Sequence, residues 1–231
     1  TELLQYIHNP SFILLYSHIN SENLIKILEK FIDNELIKNK HKLIDNNKYY
    51  LNGLYNLSYL NINHKSLLVK FNNLIKTSSP VLNKPILKNT VCKKIKVLIV
   101  GISMISNKPT SVFKDRSEII KKLDNNIFEK YLLYNSLIKE KLKNKFHTKS
   151  IDDLFKNIYR TITYDEHVTT EMINSLLNYK FDIVIYPSIG MKAYSGILAN
   201  YRIAPIQINT WGHSITSGID TIDYYISSKI I

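Results

Sequence analysis

Lys94–Ser103 reads KIKVLIVGIS, in which Val97–Val100 is a short unbroken run of β-branched and aliphatic residues closed by a glycine. The run does not alternate between polar and apolar, which is the mark of a strand covered on both faces, as in a parallel sheet. A parallel strand cannot be joined to its neighbour by a tight hairpin; the chain must cross over, usually through a helix. The sequence downstream supplies that rhythm. DRSEIIKKLD (115–124) fits a helix, IFEKYLLY (127–134) a strand, and the charged stretch 139–155 a helix with a loop. IYRTIT reads as a third strand, EHVTTEMINSLLN as a helix, FDIVIYPS (181–188) as a clear strand and YSGILANYR as a short helix. APIQINTW and TIDYYIS give two more strands. The fold class is therefore α/β: a Rossmann-like parallel sheet with helices on both faces.

The first eighty residues have a different period. In NSENLIKILEKFIDNEL, Leu24, Ile25, Ile27, Leu28, Phe31 and Ile32 fall on one helical face. Asn20 or Ser21 can cap that helix. The unit returns at one constant offset: Ile19, Asn20, Leu24, Ile25, Leu28, Phe31 and Ile32 recur as Ile62, Asn63, Leu67, Leu68, Phe71, Leu74 and Ile75. Stacked helical hairpins of this kind bury their faces only against neighbours, so the module is expected to dock on the downstream part of the chain or to continue upstream. TSSPVLNKPILKNT, with two prolines, breaks the pattern. The expected organisation is a helical-repeat-like module over 1–80, a linker over 81–92 and a Rossmann-like lobe over 93–231.

With 45% apolar residues in 231, the chain can bury a real core. Its net charge of +12 comes from lysines spread among Asn and Ile, as in IKNKHKLIDNNKYY. That reads as compositional bias on solvated faces. No zinc-finger spacing or RNA-binding aromatic pattern accompanies it, so nucleic acid is disfavoured as a partner. Cys92 is the only cysteine, which excludes an internal disulfide and fits a reducing compartment. The longest apolar stretch, near Ile95–Ile105, is too short to cross a bilayer, and the N-terminus lacks a signal core. The expectation is a soluble cytoplasmic protein with no membrane partner. The chain begins at Thr1 and stops at Ile231 inside an apolar run, and is expected to be an excerpt of a longer protein.

Ligands on parallel sheets bind at the carboxyl ends of the strands. Three loops then matter: 103–111, 187–195 and 212–218. The first has only Gly101 before it, so a glycine-rich dinucleotide fingerprint is absent. Thr110 and Ser111 place hydroxyls at a helix start, with Lys108, Lys114 and Arg116 adding positive charge. That suits a phosphate or another polar ligand, or else ordinary capping among solvated lysines. In the second loop, Gly190 allows close approach or a plain turn. In the third, His213 can donate to a phosphate or sugar hydroxyl, or exchange a proton near neutral pH, unless its role is structural. Thr216 and Ser217 add donors, and Gly212 and Gly218 allow a tight path. No catalytic triad can be read from spacing. His8, His18, His41, His64, His147 and His167 lack metal-ligand spacing and read as surface or packing residues; no metal is implied.

The stretches FDIVIYPSIG, YRIAPIQ, WGHSITSG and IDYYI resemble the catalytic region of the O-GlcNAc transferases and their relatives, the bacterial cytoplasmic N-glucosyltransferases. That family's pattern looks like D-I-L…G…L-R-x-A-P-I-Q…G…T-[ST]-G…D-Y. YPSIGM, which includes Met191, and the Gly212–His213 pair look like the N-glucosyltransferase branch. TSG looks like the O-GlcNAc branch, and NKPTS (107–111) is similar to its Asn-His-Pro-Thr-Ser. The resemblance covers roughly 94–231. It implies the first half of a GT-B fold, with a second lobe, absent from this chain, that holds most of the UDP-sugar. It implies transfer of GlcNAc or glucose to a protein Ser/Thr or Asn side chain, with no cofactor and no metal. By the same resemblance His213 is catalytic, and Lys108, Thr110, Ser111, Gly190, Met191, Gly212, Ser214, Thr216, Ser217 and Gly218 bind substrate. The departures are Ser214 in place of a proline, and Lys108 and Val112 in place of two histidines. A lysine at 108 would hold negative charge rather than serve as a base. The rival expectation is a non-catalytic peptide- or protein-binding module with a degenerate transferase lobe. A third is a polyanion binder whose affinity falls with salt.

Overall fold

The structure is a computed structural model. It describes residues 23–30, 32–34, 63–77, 94–101, 111–136, 149–164, 168–191, 193–213 and 215–227. Residues 23–30 and 32–34 are helical. After them come α1 (Lys65–Thr77), β1 (Ile95–Val100), α2 (Ser111–Lys122), β2 (Phe128–Asn135), α3 (Lys149–Lys156) and β3 (Arg160–Tyr164). The chain continues through α4 (Thr170–Asn178), β4 (Ile183–Tyr186), α5 (Ala193–Ala199), β5 (Ile206–Thr210) and β6 (Tyr224–Ile226). The proposed linker, Cys92, the caps Asn20 and Ser21, and the histidines other than His64 and His213 lie outside the described residues.

The six strands form one sheet in the order β3-β2-β1-β4-β5-β6, and every pairing is parallel. The chain runs outward from β1 in one direction, then returns and runs outward through β4 in the other. The gap between β1 and β4 is thus the point where connections diverge, and their carboxyl ends form the edge expected to carry ligands. β1 explains its own burial. Leu98 and Val100 enter one core with Tyr131 and Leu133 of β2, while Val97 and Ile99 enter the other with Leu132 and Tyr134. Both faces are covered over Val97–Val100, so that part of the strand has no polar side to show.

The second face holds α2 and α3, through Val112, Phe113, Ile120, Ile151 and Leu154. α2 begins at Ser111, within the helix start expected at Thr110 and Ser111 and a turn before the span 115–124 that fits a helix. The reason is packing: Val112, Arg116 and Ile120 stand four residues apart and are all buried, so the inward stripe already starts at Val112. At the other end of α2, the buried Lys130 of β2 donates from Nζ to the carbonyls of Ile120 and Leu123, at 3.1 and 2.8 Å. This satisfies acceptors that a helix C-terminus leaves open.

The first face holds α4 and α5 together with the N-terminal helices. Leu24, Leu28, Ile32, Leu67, Phe71, Leu74 and Ile75 share one core with Leu98, Val100, Val184 and Tyr186 of the sheet. Leu24, Leu28 and Ile32 of the first copy thus turn inward as Leu67, Phe71 and Ile75 of the second do. In the second copy Asn63 Oδ1 accepts from the Lys65 N–H at 2.9 Å, so the asparagine the repeat carries caps α1.

Candidate functional site

β4 and β5 are neighbours, so the loops leaving their carboxyl ends lie side by side. Two glycines let them close. A Cβ on Gly212 would overlap the Pro187 carbonyl oxygen and stand 3.0 Å from Ser188 Cα. A Cβ on Gly190 would overlap Cδ2 of the His213 ring, and Gly190 has a φ of +93° that L side chains rarely adopt. Hydrogen bonds tie the same loops. Thr210 Oγ1 donates to the Pro187 carbonyl at 3.0 Å, and Ser195 Oγ, from the first turn of α5, donates to the Ser188 carbonyl at 3.2 Å.

Beyond Thr210 the chain leaves the strand in a turn across the sheet edge, and its side chains reach both faces. Trp211 turns toward α2, where the Arg116 guanidinium carbon sits 3.9 Å from the indole centroid. His213 turns toward α1. It is 9% exposed and shares a cavity of about 40 Å³ with Leu68, Phe71, Ile189 and Thr216. No charged side chain among the described residues lines that cavity. Burial pushes the imidazole pKa below its ordinary value, so the neutral form prevails at neutral pH. A neutral imidazole can donate from one nitrogen and accept at the other.

The rest of the third loop is held by α1 and by itself. Asn72 of α1 donates from Nδ2 to the Ser217 carbonyl at 3.0 Å, and its Oδ1 accepts from Asn200 Nδ2 at 2.9 Å. Gly218, at φ +63°, brings the backbone against Leu68, where a Cβ would stand 2.7 Å from Leu68 Cβ. Thr216 Oγ1 accepts from the Gly218 N–H and Ser217 Oγ from the Ile219 N–H, both at 3.3 Å. These hydroxyls therefore shape the turn with their lone pairs while their O–H groups stay available as donors. Next to the turn opens a cleft of about 610 Å³, lined by Lys65, Asn209, Thr216, Ser217, Tyr224 and Tyr225 among others. That size is ordinary for a small-molecule pocket.

Among the residues expected to act together, Gly190, Gly212, His213, Thr216, Ser217 and Gly218 do meet at one edge. Met191 is set apart, half-buried against the core under α2 and α3. Ser111 opens α2 with an exposed side chain. Lys108, Thr110 and Ser214 lie outside the described residues. Among the described residues, no group of three or more His, Cys, Asp or Glu is placed to hold a metal, and no helix is long and apolar enough to cross a membrane. Sequence reasoning passed over Asn72, Asn200, Asn209 and Thr210. Asn209 had a readable signal: in IQINT it shares the Gln207 side of β5, and both are buried.

No protein-family model matches this chain, and no curated protein matches it. Its fold is similar to that of a mutant of the Thermobaculum terrenum O-GlcNAc transferase, with a TM-score of 0.58 at 15% identity. The match covers 94% of this chain and 40% of the solved one. The likeness is one of fold: the N-terminal helices and all-parallel Rossmann-like sheet correspond to part of a GT-B O-GlcNAc transferase. This is the kind of protein that the loop motifs resemble.

Proposed function

We propose that this chain is the helical module and first lobe of a UDP-sugar-dependent protein glycosyltransferase, which transfers GlcNAc or glucose to a Ser/Thr or Asn side chain of a protein acceptor. The observation that carries the reading is the closure of the β4 and β5 loops, with Gly190 pressed on the ring of His213 at the carboxyl edge. His213 acts as a neutral donor toward the sugar–phosphate bond and stabilises the departing diphosphate as charge develops on it. Thr216 and Ser217 orient the acceptor from their hydroxyls, and a second lobe supplies most of the nucleotide contacts. The Lys108 ammonium, three residues before α2, adds positive charge for the diphosphate.

A second reading draws on the depth of the histidine. His213 is 9% exposed beneath α1, which suits a peptide-binding module whose lobe has lost catalysis. The test is transfer from labelled UDP-GlcNAc and UDP-glucose to a peptide pool, by the protein carrying this chain and by its His213→Ala variant. The expected result is transfer that drops by roughly 10²-fold or more in the variant, the scale of a lost proton-transfer or donor group. Transfer unchanged in the variant removes His213 from the chemistry. Tight peptide binding with no UDP-sugar binding, read by calorimetry, replaces this reading with the second.

A further inference from the structure

Arg116 is an unusual residue for the inner side of α2. Its side chain is 4% exposed, yet among the described residues a single carboxylate, that of the half-exposed Asp115, pairs with it, at 2.9 Å. Nη2 is buried with no hydrogen-bond partner among the described residues. A buried guanidinium so incompletely paired is not explained by charge pairing, since the desolvation of such an ion is seldom recovered by one partner at the rim. What the guanidinium does contact is the third loop. Its face lies over Trp211 at 3.9 Å, and Nε donates to Thr210 Oγ1 at 3.2 Å. Thr210 Oγ1 donates in turn to the Pro187 carbonyl, the atom that Gly212 passes most closely. Arg116 thus touches the last residue of β5 and the first residue of the loop, and through Thr210 it reaches the end of β4.

We infer that Arg116 is a positioning residue for this site: by clamping Trp211 and Thr210 from the α2 face, it fixes where the chain crosses the sheet edge and so where His213 stands on the other face. Only Gly212 separates Trp211 from His213, and Gly190 and Gly212 leave the crossing no slack. The planar fork is what the geometry uses, because one group stacks flat and donates in its own plane at the same time. A lysine keeps the charge and loses both. The inference rests on the proposed function only in treating His213 as functional, and its structural content is testable without any sugar.

Trp211 is the only tryptophan, so its fluorescence reports the clamp directly, and the His213 ring protons report the far side by NMR. In Arg116→Lys, acrylamide quenching of Trp211 is expected to rise roughly twofold or more as the flat contact is lost. The His213 titration midpoint is expected to move up toward the ordinary histidine value as the ring gains water. A histidine held by α1 alone would keep its midpoint whatever happened to Trp211. Should Arg116→Lys not fold, Thr210→Val carries the test with the same two readouts, because it cuts the bond to Arg116 and the bond to Pro187 at equal volume. A folded variant with both readouts at their wild-type values overturns the inference, and so does a shift in Trp211 alone. Both readouts moving in a protein that transfers no sugar upholds the clamp and fails the functional reading. Intact transfer with unmoved readouts does the reverse.

Discussion

An imidazole that loses most of its water on folding gives up basicity, and the consequence can be measured at the level of a single residue. Burial holds the His213 pKa below its ordinary value, while in the unfolded chain it titrates near about 6.5. Below that pH the unfolded state binds a proton that the folded state refuses, so folding is penalised as the pH falls. The contribution is fully present above about pH 6.5 and is lost on acidification toward the folded pKa. Urea unfolding across that window should therefore lose stability more steeply in the wild type than in His213→Asn, which has no proton to take up. Equal slopes in the two proteins would place the ring in water and contradict its 9% exposure. The same residue shows why motif reading stops short. WGHSITSG identifies the histidine and its glycines, but not that the ring faces Leu68 and Phe71, which lie more than a hundred residues upstream.

At the scale of the element, β5 is legible as a strand but easily misjudged. APIQINTW has a strand's composition, and its place beside β4 follows from the alternation of elements. Its inward side, however, is polar. Gln207 is wholly buried, accepts from the Ile203 N–H at 3.0 Å and donates to the Thr221 carbonyl at 3.0 Å. It joins the segment entering β5 to the segment entering β6, a job that no period-2 pattern announces because the pattern assumes apolar residues inside. Gln207→Leu keeps the volume and strands both partners. Each buried group left without a partner costs about 1–3 kcal/mol, so the variant should lose about 2–6 kcal/mol in urea unfolding, with the loss centred on the β5–β6 connection in amide exchange. A variant as stable as the wild type would show that water replaces the side chain there. α2 teaches the complementary point. The span 115–124 fits a helix on its own, and the buried Val112 and Phe113 extend that helix back to the start at Ser111, because most helical stability comes from packing an amphipathic face.

Across the whole molecule, the parallel sheet and the helical face were legible because each repeats a period that only one kind of packing satisfies. How the two meet was not legible, since helix docking depends on contacts between residues far apart in the chain. Leu67 is fully buried in the same core as Leu98 and Val100 of β1. The polar contacts run the same way: Asn72 reaches both Ser217 and Asn200, and Lys76 pairs with Asp220. The helices thus act as the lid of one sheet face and the support of the His213 loop. This coupling makes a prediction about folding units. Leu67→Ala should cost about 2–5 kcal/mol, the usual range for emptying a core leucine site. The loss should appear equally in far-UV circular dichroism and in Trp211 fluorescence, although Trp211 faces α2 on the opposite side of the sheet. Coincident transitions mean one cooperative unit. If helicity melted first while Trp211 kept its native emission, the helices would be a separate unit resting on a self-sufficient sheet. His213 would then owe its position to the Arg116 side alone.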